Sequence, residues 1–154
     1  DGKHLILSFS ESSSDNKQSI YESHLLADGS WSKPVSLGSD VNVDGSGSHS
    51  PFLASDGKTL YFSSNRDGGL GSYDIWMTQR QDDTWKNWSE PINLGEDINS
   101  EKWDAYYTLD AQGKYAYMVS SKNSKGGSAD IVRIKLKKEV QPARENELRG
   151  PRKS

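Results

Sequence analysis

One segment of the sequence combines aromatic rings with an acid in a way that suits ligand binding: Trp103-Asp104-Ala-Tyr106-Tyr. Flat aromatic faces make large contacts in interfaces and against ring-shaped ligands, and a carboxylate adds hydrogen-bond acceptors. The segment immediately precedes a predicted strand. We predict that Trp103, Asp104 and Tyr106 form a binding site for a peptide or a glycan.

A second polar group, Asn65-Arg66-Asp67, is followed by Gly68 and Gly69. This loop could present amide, guanidinium and carboxylate groups to a partner or a glycan. Loops are usually exposed and polar whatever their role, so an ordinary solvated loop is the alternative. Asn65, Arg66 and Asp67 are therefore a second candidate binding group.

The spacing of Asp40, Asn42 and Asp44, followed by Gly45, resembles part of a calcium-binding loop. Three oxygen ligands along a glycine-permitted bend suit Ca²⁺, but Pro51 stands where an EF-hand would need its bidentate glutamate. Asx residues and glycine also favour plain turns. The sequence predicts a structural turn here, and calcium is the alternative.

Catalytic groupings are not evident. The histidines His4, His24 and His49 form no His-x-x-x-His pair and stand beside no recognisable nucleophile. There is no Gly-x-Ser-x-Gly motif, and the absence of cysteine excludes thiol chemistry and zinc–thiolate sites within the sequence. The sequence predicts a protein that is not an enzyme and needs no cofactor.

The composition favours strands and turns. In 154 residues only 32% are hydrophobic, whereas there are 25 serines, 14 glycines and 10% aromatic residues. Aromatic side chains suit pleated strands, and serine and glycine suit turns. Residues 1–134 carry 12 basic and 19 acidic side chains, a net charge of −7 that disfavours nucleic acid. No apolar stretch is long enough for a transmembrane segment.

An internal repeat explains the pattern of strands. The segment Asp56-Gly-Lys-Thr-Leu-Tyr-Phe-Ser recurs around Gly2 and Gly113, and the intervals that separate these two glycines from Gly57 are nearly equal. A Trp-Ser-x-Pro element occurs twice at almost the same interval. An isoleucine follows each of the three glycines at one constant offset, as Ile20, Ile75 and Ile131. We call these three repeats units one, two and three.

Each unit is predicted to contain short antiparallel strands. Asp-Gly marks a hairpin turn, and Pro91 predicts an edge strand. The apolar runs Leu60-Tyr61-Phe62 and Ala116-Tyr117-Met118-Val119 each predict a strand covered on both faces. Four such strands per unit are typical of a β-propeller blade. The predicted fold is all-β, with about three four-stranded blades.

The repeat is incomplete at both ends. Unit one begins at its Asp-Gly turn, and unit three has no Trp-Ser-x-Pro element. We interpret residues 1–136 as the C-terminal half of a propeller with about six to eight blades, which self-association or upstream blades would close. Residues 137–154 are predicted to be a charged linker or tail that leads out of the propeller.

Two further pairs recur with the repeat. Asp74 and Asp130 begin equivalent strands, where each should accept backbone hydrogen bonds from the preceding glycine-rich loop. Trp31 and Trp88 recur in the Trp-Ser-x-Pro element and should either pack between units or be buried at the edge strand. These four residues are interpreted as structural.

The segment Asp56-Gly-Lys-Thr-Leu-Tyr-Phe-Ser-Ser-Asn-Arg66, followed by Asp74-Ile-Trp76, resembles the TolB-type, WD-like propeller repeat. The element at residues 88–99 is similar to the version found in OmpA-family envelope proteins of Bacteroidetes-type bacteria. The resemblance implies a periplasmic, outer-membrane-associated, non-catalytic scaffold in a secretion or peptidoglycan-anchored complex. Its implied partner is an envelope protein or peptide. The alternatives are a module that recognises glycan or peptidoglycan and part of a glycan-active propeller enzyme.

Overall fold

The computed structural model describes residues 2–14 and 16–137, which form ten β-strands and no helix. The prediction of an all-β chain is confirmed. The strands are β1 His4–Phe9, β2 Ser19–His24, β3 Val35–Ser36, β4 Ser48–Leu53, β5 Thr59–Ser64, β6 Asp74–Gln79, β7 Ile92–Asn93, β8 Asp104–Leu109, β9 Tyr115–Ser120 and β10 Asp130–Lys135.

The strands form three antiparallel sheets, one from each unit of the repeat. The first sheet has the order β1-β2-β3, the second β4-β5-β6-β7 and the third β8-β9-β10. Within the described part of the chain, only the second sheet has four strands. Strand β4 contacts both β1 and β8, so the sheets lie side by side with the second in the middle.

The edge strands β3 and β7 are only two residues long, and each begins directly after a proline, Pro34 or Pro91. Proline cannot donate a ladder hydrogen bond and is tolerated at an edge. The preceding Trp31 and Trp88 each make only an isolated bridge to the neighbouring chain segment. The predicted edge position of this element is confirmed.

Turn chemistry joins the strands. Between β4 and β5, Gly57 has a φ of +66°, and Asp56 Oδ1 accepts hydrogen bonds of 2.8 Å from the N–H groups of both Lys58 and Thr59. Glycine adopts this left-handed conformation without a steric penalty. The Asp-Gly pair therefore fixes the hairpin.

Two apolar cores fill the spaces between the sheets. Every residue of β5 is buried because its alternating side chains enter both cores, which confirms the prediction for the apolar run Leu60-Tyr61-Phe62. The core between the first and second sheets contains Ile20, Leu37, Val41, Leu60, Phe62, Trp76, Trp85 and Trp88. The core between the second and third contains Ala54, Tyr61, Ile75, Ile98, Tyr107, Ala116, Met118 and Leu136.

The outer faces are different. Leu5 and Trp31 are exposed on the first sheet, and Tyr117 and Ile131 are exposed on the third. The prediction that the run at residues 116–119 is covered on both faces is therefore wrong, because β9 is covered on one face only. An apolar run allows a strand to be buried on both faces, but both faces are buried only where a sheet packs on each side.

Most of the predicted linker, residues 137–154, lies outside the described residues. Lys137 is described, and its Nζ lies 2.7 Å from Asp97 Oδ2 in an exposed ion pair. Because the described residues form no helix, none of them offers a helical membrane span.

Candidate functional site

The strands β4 and β8, each at one edge of its sheet, share an irregularity that shapes the candidate site. In each, the register with the following strand shifts, between His49 and Phe52 in β4 and between Ala105 and Thr108 in β8. Such a shift is a β-bulge, which bends a strand and turns side chains in new directions. The predicted binding segment thus lies mostly within β8, and only Trp103 precedes the strand.

Each bulge contains a residue other than glycine in the left-handed region. Ser50 has a φ of +53° and Tyr106 a φ of +56°. Residues with a Cβ rarely adopt this conformation, and it persists where the surrounding structure imposes it. At this position the Tyr106 ring is 59% exposed.

Four rings gather at this bulge, and we call them the aromatic cluster: His49, Tyr73, Trp103 and Tyr106. The His49 ring centre lies 4.8 Å from Tyr73, 6.3 Å from Trp103 and 6.5 Å from Tyr106. Trp103 and Tyr106 meet edge to face at 6.0 Å. The structure therefore brings together two of the three residues predicted for this site.

Backbone contacts hold the cluster across the seam between the second and third sheets. Tyr73 and Trp103 form a parallel bridge, and the Asp104 N–H donates to the Tyr73 carbonyl at 2.9 Å. The Tyr73 hydroxyl packs against Gly47, where a Cβ would come within 2.5 Å of its oxygen. The two tyrosines and the tryptophan are thus attached to a continuous backbone framework.

The cluster is electrically neutral at pH 7. Burial lowers the pKa of His49, which keeps its imidazole uncharged, and burial raises the pKa of Tyr73. The Nδ1 atom of His49 lies 2.7 Å from the Ser50 hydroxyl oxygen. The surface offered by these rings is therefore apolar and aromatic, with hydrogen-bonding groups at its edges.

Asp104 has a different place from the one expected for a ligand-binding acid. It is fully buried, and its carboxylate accepts hydrogen bonds from the Ser100 N–H at 2.7 Å and from the Ser120 hydroxyl at 2.5 Å. Burial of a carboxylate is tolerated when its oxygens are paired in this way. Asp104 positions the start of β8 and is not available to a partner.

The candidate group Asn65-Arg66-Asp67 is also divided by the structure. Arg66 is buried, donates to the carbonyls of Asp40 and Val41 at 2.9 and 2.5 Å, and lies 4.9 Å from the Phe62 ring centre. Burial lowers its pKa to about 10, so it is still charged at neutral pH. Arg66 therefore joins the first sheet to the second.

The neighbours of Arg66 are exposed. Asn65 Oδ1 accepts a hydrogen bond from the Gly47 N–H at 2.7 Å, which secures the start of β4. Asp67 is exposed in the loop that follows. Of the three predicted residues, only Asp67 has a side chain whose contacts leave it open to a partner.

The potential calcium ligands have structural contacts. Asn42 receives a hydrogen bond from the Ile20 N–H and donates to the Ile20 carbonyl, both at 2.8 Å. The Asp40 carboxylate accepts a long hydrogen bond of 3.4 Å from the Trp88 N–H. Asp44 is exposed. Asn42 thus ties a loop to β2, in agreement with the structural-turn interpretation.

The recurring aspartates and tryptophans diverge between units. Asp74 accepts hydrogen bonds from the loop N–H groups of Leu70 and Gly71, as expected, whereas the exposed Asp130 accepts none from the described residues. Trp88 is 5% exposed in the core between two sheets, but Trp31 is 41% exposed on the open face of the first sheet. Packing between units is present only where a neighbouring sheet exists.

Sequence reasoning missed His49 and Tyr73. A signal for His49 was available, because the offset that relates Gly57 to Gly113 places it opposite Ala105, inside the predicted site segment. No comparable signal identified Tyr73, which comes from the loop before β6. Its contribution depends on the packing of one sheet against the next.

A second group of side chains that sequence reasoning missed joins β1 to β2 in the first sheet. The buried Glu22 has its Oε1 atom 2.6 Å from His4 Nδ1 and its Oε2 atom 3.5 Å from His24 Nδ1. His4 also packs against Trp85, with 4.7 Å between ring centres. Among residues 2–14 and 16–137, no set of three or more acidic, histidine or cysteine side chains has a geometry that could hold a metal ion.

A cleft of about 410 Å³ lies near the cluster, although none of the four rings lines it. It is lined in part by Leu70, Asn99, Lys102 and Lys122, and Lys102 is the residue immediately before Trp103. The cleft carries mixed charges and is open to solvent. A ligand seated on the rings could therefore extend onto a polar surface.

Comparison with known proteins adds no assignment for this site. No protein-family model matches the chain, and no curated protein matches it either. The candidate site thus rests on the geometry of the chain itself.

Proposed function

We propose that the three sheets are successive blades of a TolB-type β-propeller and that the chain is a non-catalytic scaffold which binds a protein or peptide partner in the cell envelope. The regular internal repeat, the consecutive strand order in each sheet and the side-by-side packing support the blade interpretation. The periplasmic location follows from the resemblance to OmpA-family envelope proteins.

The observation that carries the binding function is the aromatic cluster. Large rigid rings have little conformational entropy to lose, and exposed tyrosine and tryptophan are common anchors of protein interfaces. Tyr106 is held outward by the backbone of the bulge rather than by a flexible loop. A partner would therefore meet a preorganised surface.

The cluster suits a peptide better than a small molecule. The rings form a surface at a sheet seam, and the nearby cleft is open to solvent and mixed in charge. An extended peptide could place an apolar side chain on Trp103 and Tyr106 and continue along the polar cleft. A glycan is the second candidate, because the exposed Tyr106 ring provides a face for a sugar ring.

The enzyme alternative has one geometric feature in its favour, the contact between His49 and Ser50. Their separation of 2.7 Å equals that of a nucleophile–base pair. However, the left-handed φ of Ser50 recurs at Tyr106 and so belongs to the bulge, and no described carboxylate forms an ion pair with His49. The pair is therefore assigned to the structure of the bulge.

The experiment is a selection of peptides from a random display library on the full chain, followed by titration of the enriched peptides. We expect Trp103→Ala to weaken binding at least about tenfold. Trp31→Ala is the matched control, because Trp31 is an exposed tryptophan outside the cluster. Equal binding by the wild-type chain and Trp103→Ala would contradict the site.

A parallel titration with soluble peptidoglycan fragments separates the two candidates. A change in tryptophan fluorescence that disappears in Trp103→Ala, together with no peptide enrichment, would transfer the assignment to glycan recognition. Absence of both peptide and saccharide binding would overturn the proposed function.

A further inference from the structure

The same isoleucine of the repeat has opposite surroundings in different sheets. Ile20 and Ile75 are fully buried in the first and second sheets, whereas Ile131, which is equivalent to them, is 82% exposed on β10. All three lie at the second position of equivalent strands, β2, β6 and β10. The difference therefore comes from what covers the strand.

In the first two units the strand is covered by the residues from the short edge strand to the next asparagine, 35–42 and 92–99, which we call the hook segments. The edge strand pairs with β2 or β6, and apolar residues of the hook enter the core. Leu37 and Leu94 each donate a backbone hydrogen bond of 3.1 Å to the isoleucine carbonyl. The two hooks thus share one geometry.

An asparagine closes each hook by clamping the isoleucine backbone. Asn42 contacts both the N–H and the carbonyl of Ile20 at 2.8 Å. Asn99 contacts the N–H and the carbonyl of Ile75 at 2.7 and 2.9 Å. A side-chain amide has one acceptor and two donors, so it can satisfy both backbone groups at once.

The hook of the second unit also contacts the residue before the isoleucine, through Asn93 and Asp74. Asn93 Nδ2 donates to Asp74 Oδ2 at 3.0 Å, and Asn93 Oδ1 accepts from Asn99 Nδ2 at 3.0 Å. The first unit has Ser19 and Ser36 at the corresponding positions, and there Ser36 accepts from Asn42 at 2.9 Å. In the second unit, the aspartate before the isoleucine is thus hydrogen-bonded to an asparagine of the hook, whereas the first unit has serine at both positions.

The third unit has the acceptor without the hook. Asp130 and Ile131 have the same order as Asp74 and Ile75, and neither is clamped by any part of the chain that the structure describes. Residues 138–154 contain no tryptophan and no Leu-Gly pair, so their sequence does not supply a hook. The outer edge of β10 therefore corresponds to the strand side of an interface that occurs twice elsewhere in the chain, at β2 and at β6.

We propose that the edge of β10, with Asp130 and Ile131, binds a hook segment of the second-unit type from another polypeptide segment, with the sequence Ile-Asn-Leu-Gly-x-x-Ile-Asn and a proline before it. The bound strand would extend the third sheet by β-augmentation, and its last asparagine would clamp Ile131. The choice of occupant follows from the continuity of this edge with the two hook interfaces of the same chain. The proposal does not depend on the binding function of the aromatic cluster.

The experiment uses the full chain and a fluorescein-labelled peptide that copies residues 87–100, Asn-Trp-Ser-Glu-Pro-Ile-Asn-Leu-Gly-Glu-Asp-Ile-Asn-Ser, with binding followed by anisotropy. We expect saturable binding that falls at least about tenfold when the residue copied from Asn99 is replaced by alanine, because two hydrogen bonds are lost. In ¹⁵N spectra the largest shifts should be at residues 130–133.

The chain variant Ile131→Asp should abolish binding. The side chain is mostly exposed, so the variant should fold normally, which a thermal melt checks. Binding of equal strength by the wild-type chain and this variant, or no binding by the wild-type chain, would overturn the proposal. The proposal would also be overturned if the peptide did not bind and the chain alone formed a dimer that Ile131→Asp dissociates. The occupant of the β10 edge would then be a second copy of the chain.

A specificity swap tests the proposed contact between Asp130 and the hook asparagine even if Ile131→Asp is poorly folded. The wild-type chain should prefer the Asn93-type peptide about tenfold over the same peptide with serine at that position, because the amide donates to a carboxylate. Asp130→Ser should remove this preference. A preference that is unchanged in Asp130→Ser would contradict the proposed contact between Asp130 and the hook.

Discussion

The two bulged strands, β4 and β8, have the same backbone conformation but carry different side chains. Each starts with a polar residue, Ser48 or Asp104, that bonds both the preceding segment and the serine at the end of the next strand. Each then places a left-handed residue at the same point, Ser50 or Tyr106. The repeat thus fixes the backbone, and the exposed position of the bulge is where the units differ.

The largest expected change in the free energy of unfolding comes from the residue that starts each bulged strand. We expect Asp104→Ala to lower the free energy of unfolding by about 3 kcal/mol, because it leaves Ser100 and Ser120 without their charged acceptor. Ser48→Ala should cost only about 1 kcal/mol, since it removes a neutral hydroxyl. Urea denaturation of both variants measures the difference, and equal losses would show that the two starts are energetically equivalent.

The next effect concerns the residues that follow β5 and β9. Arg66 is buried across the seam between the first and second sheets, whereas Lys122, at the equivalent position after β9, is exposed. Arg66→Ala should cost about 2 kcal/mol because two loop carbonyls lose their donor. Lys122→Ala should stay within about 0.5 kcal/mol of the parent. A similar small cost for both variants in chemical denaturation would contradict the role assigned to Arg66.

A gain in stability is expected beside the second bulge. Tyr61 and Tyr107 pack with ring centres 4.9 Å apart, and their hydroxyl groups are buried without a hydrogen-bond partner. Tyr107→Phe should therefore raise the free energy of unfolding by about 1 kcal/mol. A loss of stability in the thermal melt would show that the hydroxyl has a partner after all.

The same pair predicts a dependence on pH. Burial raises the pKa of Tyr61 to about 12 and raises that of Tyr107 as well. Both groups hold their protons more tightly in the folded state than in the unfolded state. The stability linked to this difference is fully present below pH 10, and it is lost as the pH rises from about 10 towards 12. The double variant with phenylalanine at both positions should lose less stability over this interval than the parent does.

The smallest effect tests the left-handed residues themselves. Ser50→Gly should raise stability by up to about 1 kcal/mol because glycine relieves the backbone strain at positive φ. Tyr106→Gly should show a similar relief, but it should remove the proposed peptide binding as well. If Tyr106→Gly retained full peptide affinity, the exposed ring would have no part in recognition.

The sequence was sufficient for the periodic part of the structure. The repeated Asp-Gly turns, the apolar run around Tyr61 and the prolines before the edge strands each act locally, so they predicted the sheets and their strand order. The bulges were not predictable in the same way. Ser50 and Tyr106 lack the glycine that usually signals a positive φ, and their conformation arises from the fit between neighbouring strands.

The candidate site was predicted only in part, for a related reason. Trp103 and Tyr106 were predicted as aromatic residues of the site, whereas Asp104 and Arg66, which the sequence suggested as available polar groups, are both buried. Their partners lie far away in the sequence, and no local pattern reveals them. Residue type indicated the chemistry, and the tertiary contacts decided which side chains remain free.

The edges of the sheets also determine how the chain behaves towards other chains. Two-residue edge strands that begin after proline offer almost no template for further pairing, so the outer sides of the first and second sheets are protected from aggregation. The six-residue strand β10 has no such protection, and its exposed Ile131 adds an apolar contact. Charged side chains on an edge strand disfavour edge-to-edge pairing, so Asp130, Arg133 and Lys135 are the residues that discourage self-pairing through β10.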